Sequence, residues 1–273
     1  MDNITSRDNA YVRQARRLLA ETKYRRRTGL FALEGARLCG DAVRSGADLR
    51  YVLFTKRAAE VYADTLQALR GVCGFCTEIS ETLAAYISDT ASPQGLFCVC
   101  QGVDKPAGLD TIEKNGKYLA LENVQDPSNL GAIIRTAEAL GIHGLILSAG
   151  CCDRYNPKVL RASMGGALRL PIVETDDLPA ALDHLQRERM AAFASVVHGD
   201  ALPVQQARFA PGSIAVIGNE GSGLTPEAVQ SCRHRITIRM PGRAESLNAS
   251  VAASLIAWEM MRGDTAAEGY CRR

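Results

Sequence analysis

The sequence predicts an α/β protein whose C-terminal half carries a mainly parallel sheet and whose smaller N-terminal region is a separate α/β unit. Three observations predict it. Short apolar runs alternate with longer helical patterns, most regularly after residue 118, as in strand–helix units that cover both faces of a parallel sheet. The stretch Gln101–Lys117, QGVDKPAGLDTIEKNGK, is polar and holds Gly102, Pro106, Gly108 and Gly116, which marks a linker. Finally, 273 residues with 47% hydrophobic and 23% charged side chains suffice for one large or two modest cores. The expected division is residues 1–102, a linker at 103–117, and 118–273.

In the N-terminal region, helices are expected over residues 8–21 and Ala36–Ser45, with strands at Tyr51–Phe54 and Gly95–Cys100. In the C-terminal region, strands are expected at Tyr118–Leu121, Leu145–Leu147, Ala192–Val197, Ile214–Ile217 and Arg235–Ile238. Helices are expected at Leu130–Leu140, Pro179–Arg189, Pro226–Ser231 and Leu247–Met261. Ligands of such sheets bind beyond the carboxyl ends of the strands.

Charge is uneven. Residues 1–57 hold 13 Lys and Arg against 6 Asp and Glu, a surplus of +7, while the whole chain carries +2. A locally basic N-terminus on a near-neutral protein fits a nucleic-acid or acidic-surface binder, and a solvated charged helix would give the same count. Arg13, Arg16 and Arg17 share a helical face, and Arg25, Arg26 and Arg27 follow as a cluster beside Tyr24. Their guanidinium forks suit phosphate oxygens, and Tyr24 offers a stacking surface.

No apolar run approaches the roughly 18 residues of a membrane span. MDNITSRDNA lacks the hydrophobic core of a signal peptide, so a cytoplasmic protein without a membrane partner is expected. Nine cysteines in that setting read as free thiols. Cys73 and Cys76 form one CxxC, but Cys98 and Cys100 have the wrong spacing to complete a zinc knuckle, and no metal is expected.

Three motifs fall at strand ends of the C-terminal half. The first, Asn123–Gly141 (NVQDPSNLGAIIRTAEALG), opens a helix: Asp126, Ser128 or Asn129 suits the cap and Pro127 the turn. Arg135, six residues after Asn129, does not share its face; by composition alone, a capped amphipathic helix with a surface arginine is the favoured account of this motif. The second, Ile217–Leu224 (IGNEGSGL), sets Glu220 among glycines that let backbone approach a ligand, at a spacing foreign to dinucleotide and phosphate loops. A tight turn with an exposed Glu220 is the plainer alternative. The third, Ile238–Glu259 (IRMPGRAESLNASVAASLIAWE), leads from a loop into a helix rich in small residues, with Ser246 and Asn248 as candidate caps.

Together and in this order, the motifs resemble the signature motifs of the SpoU/TrmH family of SPOUT RNA methyltransferases, over roughly residues 118–262. The segment KYRRRTGLFALEGARLCGDAV, with Gly29–Phe31 and Glu34–Gly35, and the later Ser92–Gly95 resemble the substrate-binding domain that precedes many such enzymes. One departure is Arg239, where the family usually has proline before the methionine.

The resemblance implies a C-terminal domain tied as a trefoil knot, an exception to the rule that chains avoid knots, beside a small N-terminal RNA-binding domain. It implies S-adenosylmethionine as cofactor, at Gly218, Ile238 and Leu247, with Ser195 and Met240 beside it. It also implies a homodimer and a catalytic set of Asn129, Arg135, Glu220, Ser246 and Asn248. The expected reaction is methylation of a ribose 2′-hydroxyl in RNA, with ribosomal RNA favoured and tRNA second, and the N-terminal arginines binding that RNA. The family's usual general base maps to Arg135; because guanidinium groups hold their proton above pKa ~12, gripping a phosphate or a developing oxyanion is an equally physical role. A catalytically silent RNA-binding protein on the same scaffold is the alternative from another class; a dehydrogenase lacks its glycine fingerprint here.

Overall fold

The computed structural model describes residues 3–102, 108–197 and 200–262. Positions 103–107 of the expected linker therefore lie outside the described residues. The chain forms two compact units, Met1–Lys105 with Asp153–Arg169, and Pro106–Cys152 with Leu170–Arg273.

The first unit runs α1 (Ala10–Ala20), α2 (Thr22–Thr28), β1 (Leu30–Glu34), α3 (Ala36–Arg44), β2 (Leu49–Phe54), α4 (Lys56–Val61), α5 (Ala63–Val72), β3 (Cys76–Glu78), α6 (Glu81–Ile87) and β4 (Leu96–Gln101). Its sheet has the order β1-β4-β2-β3, with β4 antiparallel to both neighbours and β2 parallel to β3. Asn9 caps α1 by accepting from the Tyr11 amide. Val12, Ala15, Leu18 and Leu19 recur at helical spacing and are buried, which turns Arg13, Arg16 and Arg17 to solvent. Cys98 and Cys100 do lie on a strand, and burial pushes the thiol pKa of both upward.

The basic cluster is corrected in one respect. Arg25–Arg27 sit on α2, ended by left-handed Gly29. Arg25, expected to face RNA, is only 3% exposed. Helical geometry turns it inward while Arg26 and Arg27 remain exposed. Its Nε donates to Asp153 at 2.6 Å, its Nη1 to the Leu18 carbonyl at 2.7 Å, and its Nη2 to Thr22 at 2.9 Å. Arg25 thus ties α1 and α2 to the excursion Asp153–Arg169, and Phe31 stacks on Tyr155 of that excursion at 4.4 Å. The Tyr24 ring is also engaged, with Arg17 at 3.9 Å and Arg27 at 5.2 Å from its centroid.

The second unit runs β5 (Tyr118–Leu121), α7 (Pro127–Leu140) and β6 (Gly144–Ser148). After α8 (Pro157–Ala162), which belongs to the first unit, come β7 (Ile172–Thr175), α9 (Leu178–Arg187), β8 (Ala191–Ser195), β9 (Leu202–Pro203), β10 (Ser213–Ile217), α10 (Pro226–Gln230), β11 (His234–Thr237) and α11 (Ala249–Met261). The seven strands order as β7-β6-β5-β10-β8-β11-β9, and each pairing is parallel. Their carboxyl ends, where the three motifs begin, therefore point the same way. The core is fully buried at Ala120, Ile146, Leu182, Ala192, Ile214 and Val216, with about 1.5–3 kcal/mol expected from each large aliphatic side chain. Among the described residues, no helix is long and apolar enough to cross a membrane, and no group of His, Cys, Asp and Glu suits a metal ion.

Candidate active site

The site is assembled by three loops at the carboxyl ends of β5, β10 and β11. After β5, Asn123 adopts a left-handed conformation (φ 54°), which asparagine tolerates, and its amide donates to the Ser148 hydroxyl at 2.9 Å. A Cβ at Gly150 would lie 1.9 Å from the Asn123 carboxamide oxygen and would displace it from the Ser148 hydroxyl. Asp126 then caps α7, accepting from the amides of Ser128 (2.7 Å) and Asn129 (3.0 Å), with Pro127 in the first turn. The cap fixes where Asn129 enters the site.

After β10, the turn from Gly218 to Gly223 folds back on itself. A Cβ on Gly218 would sit 2.2 Å from the Gly223 carbonyl carbon. Asn219 holds this turn, accepting from the amides of Gly221 and Ser222 and donating to the Asn123 carbonyl at 2.8 Å. Glu122, at the end of β5, accepts from the amide and hydroxyl of Thr225 at 2.8 and 2.7 Å, which pins the far end. Glu220 is thereby presented to the first loop.

The resulting network is continuous. Glu220 accepts from the Asn129 side-chain amide at 3.0 Å and from the backbone amides of Asp126 (3.1 Å) and Gln125 (3.3 Å). The Asn129 carbonyl oxygen accepts from the Asn248 side chain at 2.9 Å. Asn248 is also the cap of α11, accepting from Ser250 and Val251 amides, which is why that helix begins at Ala249 rather than Leu247. Asn248 alone has the capping role that the sequence allowed for Ser246 as well.

Partial burial raises the pKa of Glu220, but hydrogen bonds from Asn129 and from nearby backbone amides outweigh it and leave the carboxyl below its ordinary 4.5. Glu220 is therefore an ionised acceptor at neutral pH. Because its folded pKa is lowered, its stabilising contribution is present above the ordinary value and lost as pH falls through the folded one. The thermal midpoints of wild type and Glu220→Gln should accordingly converge as pH is taken below about 4.5; a constant gap would show that the charge does not hold the loop.

Asn129, Glu220, Ser246, Leu247 and Asn248 line one cleft of about 670 Å³ together with Asn219 and the Gln125–Pro127 turn. Ile238 and Met240 line a second, of about 530 Å³, with Val197, Pro241 and Glu245. Both volumes suit small-molecule sites. Ser195 ends β8 and Gly218 follows the last residue of β10, and neither lines these clefts. Arg135 is exposed on α7 and stands apart from the Asn129–Glu220–Asn248 network. Six helical residues place it about 9 Å further along the axis and about 120° around it. Asn123, Asn219, Glu122 and Thr225 organise the site and were not singled out from sequence. All four lie inside or beside the quoted motifs, but their partners are 25 or more positions away.

A family model described as the SpoU rRNA Methylase family matches residues 116–258, and one described as the MRM3-like substrate binding domain matches residues 9–98. The chain is 28% identical to the 23S rRNA (guanosine(2553)-2′-O)-methyltransferase RlmP of Bacillus subtilis, over 95% of this chain and 99% of that protein. It is 33% identical to the 23S rRNA (uridine(2479)-2′-O)-methyltransferase of Streptomyces viridochromogenes, over 95% and 91%. The structure of the AdoMet-bound rRNA methyltransferase from Sinorhizobium meliloti superposes with a TM-score of 0.84 at 26% identity, covering 96% of this chain and 98% of that one. With the motif order, the parallel sheet and full-length relatives in agreement, the chain belongs to the SpoU rRNA methylase family.

Proposed function

We propose that the chain transfers the methyl group of S-adenosylmethionine to a ribose 2′-hydroxyl of RNA, with large-subunit ribosomal RNA as substrate. The observation that carries the reading is the continuous Glu220–Asn129–Asn248 hydrogen-bond chain at the carboxyl ends of a parallel sheet, in a chain whose full-length relatives are named for this reaction on 23S rRNA.

The residues present fit the cofactor. Val197, Ile238, Met240 and Pro241 offer an apolar wall, and Glu245 in the same cleft offers a carboxylate to a cationic group. Gly218 and Ser195, at the carboxyl ends of the paired strands β10 and β8, and Leu247 in the first cleft are further cofactor contacts of this proposal, outside the lining of the Ile238 cleft. When bound, the cofactor supplies a sulfonium methyl with a good leaving group, so the protein's work is positioning. Asn129 and Asn248, each held by two or more hydrogen bonds, keep their remaining polar atoms at fixed angles to the cleft. Glu220, ionised and tied to two backbone amides, orients Asn129 and is a poor proton acceptor at neutral pH. Arg135 and Ser246, neither hydrogen-bonded among the described residues, are left for the substrate. Residues 1–102 serve as the RNA-binding part and 118–273 as the transferring part, joined by 103–117.

A cytoplasmic homodimer is part of the same proposal, as is threading of the C-terminal chain into a trefoil knot. Val251, Leu255 and Trp258 recur at helical spacing on α11 and are 46%, 43% and 53% exposed, an apolar stripe suited to a second copy.

Labelled methyl transfer to total RNA from a strain lacking this gene, followed by mapping of 2′-O-methyl positions, tests the reading. A single site in large-subunit RNA is expected; cofactor binding without transfer to any RNA would overturn it. On the first unit, Arg13, Arg16, Arg17, Arg26 and Arg27 are exposed and remain the expected phosphate contacts. Arg26→Ala with Arg27→Ala should make log affinity against log salt shallower by about 1.4–1.8. An unchanged slope, by fluorescence anisotropy, would remove the pair from the RNA surface.

A further inference from the structure

The second unit carries cationic side chains that the site so far described does not use. From Ser231 to Ala244 the chain holds four arginines and neither aspartate nor glutamate. This cluster runs against its surroundings, since residues 58–273 together carry −5. Arg233 donates to the Gln186 carbonyl at 3.4 Å, and His234 stacks on Phe193 at 4.7 Å, so both are engaged. Arg235, Arg239 and Arg243 are exposed, and none makes a hydrogen bond or ion pair among the described residues.

Their placement is specific. Ile236 is buried while Arg235, whose side chain leaves the opposite face of the strand, is exposed. Arg239 lies two residues beyond β11 and lines the 530 Å³ cleft between Ile238 and Met240. Arg243 belongs to the loop that runs on to Ser246 and Asn248.

We propose that Arg235, Arg239 and Arg243 form a second cationic surface that grips the RNA backbone phosphates at the nucleotide being methylated. The inference rests on the function proposed above and extends it to new residues. A ribose that presents its 2′-hydroxyl to this cleft carries a phosphate on either side, so two negative charges must come within one nucleotide of the cleft mouth. Guanidinium forks match phosphate oxygens, and contacts of this kind fix register rather than base identity. The cofactor is the poorer ligand for these groups. At neutral pH it bears a sulfonium, an ammonium and one carboxylate, a net positive charge that three arginines oppose.

The test uses the full-length chain and a single-stranded oligoribonucleotide of about 20 nucleotides, long enough to cover three phosphate contacts at roughly 0.7 per contact in salt slope. Its affinity is measured by anisotropy at several salt concentrations for wild type and for Arg235→Gln/Arg239→Gln/Arg243→Gln, beside cofactor affinity by calorimetry. The expected result is a slope shallower by about 2, and Arg235→Gln/Arg243→Gln, which leaves the cleft lining intact, should keep cofactor affinity within about twofold of wild type. Should the triple variant fail to fold, Arg235→Gln/Arg243→Gln leaves the cleft lining intact and should lower the slope by about 1.4. An unchanged slope overturns the inference, and so does an unchanged slope with weakened cofactor binding, which would give the arginines to the cofactor's carboxylate. A wild-type chain that transfers methyl groups while the variant keeps its slope sinks this inference alone. A wild type that binds no RNA at any salt sinks the proposed function with it.

Discussion

Asn129→Ala is expected to lower kcat by about a hundredfold or more, the scale seen when one preorganised hydrogen-bond donor is removed from an active site. Asn129 is the middle member of the network: its amide donates to Glu220 at 3.0 Å and its carbonyl accepts from Asn248 at 2.9 Å. Truncation leaves both neighbours without that partner and removes the tie from Asn248 to the first loop, while the backbone bonds of Gln125 and Asp126 to Glu220 persist. Some stability is lost too, on the order of 0.5–1.5 kcal/mol per hydrogen bond, because Glu220 and Asn248 are exposed and water can replace the partner, so turnover alone does not separate positioning from folding. Asn129→Asp does. It keeps the shape but sets a second carboxylate where the amide met Glu220, and two such neighbours cannot both ionise cheaply. The pair should share a proton, with turnover lost at neutral pH and partly recovered as pH falls. Near-wild-type turnover in both variants, or an Asn129→Asp profile that is merely scaled down at each pH, would remove Asn129 from the machinery.

Much of the fold of the catalytic half was legible because β5, β6, β8 and β10 are short apolar runs between patterned helices. Tyr118–Leu121 coincides with β5, and Ile214–Ile217 misses β10 by one residue. Where the boundaries slipped, a local bond explains it: α11 starts at Ala249 because Asn248 is spent as its cap. β1, β3, β7 and β9 escaped notice, being two to five residues long with stability that comes from neighbours rather than from their own pattern. The excursion Asp153–Arg169 was unreadable for the same reason, since it packs in the first unit through a stack on Phe31 and an ion pair with Arg25, more than a hundred positions earlier. Of the site, the residue types that meet were legible, but not who meets whom. Asn129 and Asn248 are 119 positions apart, and no periodicity reports a contact of that kind.

Arg25 carries that lesson to its largest energetic consequence. Read as charge, it belonged with Arg26 and Arg27; read as structure, it is a buried cation, 3% exposed, facing an Asp153 that is 9% exposed. Removing one partner of such a pair strands the other charge in a poorly solvated place, which costs about 3–5 kcal/mol, whereas removing both for apolar groups costs far less. Arg25→Ala should therefore lower the thermal midpoint by on the order of 10 °C. Arg25→Lys should rescue little, because one ammonium cannot reach Asp153, the Leu18 carbonyl and Thr22 as three guanidinium nitrogens do. The double replacement Arg25→Met/Asp153→Leu should be more stable than either single change. Arg26→Ala, by contrast, should stay within about 0.5 kcal/mol of wild type, as surface changes do, and express itself in RNA affinity instead. The comparison is decisive because the two residues adjoin in sequence and carry the same charge. If Arg25→Ala melts where Arg26→Ala does, the buried pair contributes no net stability, and the basic stretch is again a single surface of the kind its composition suggests.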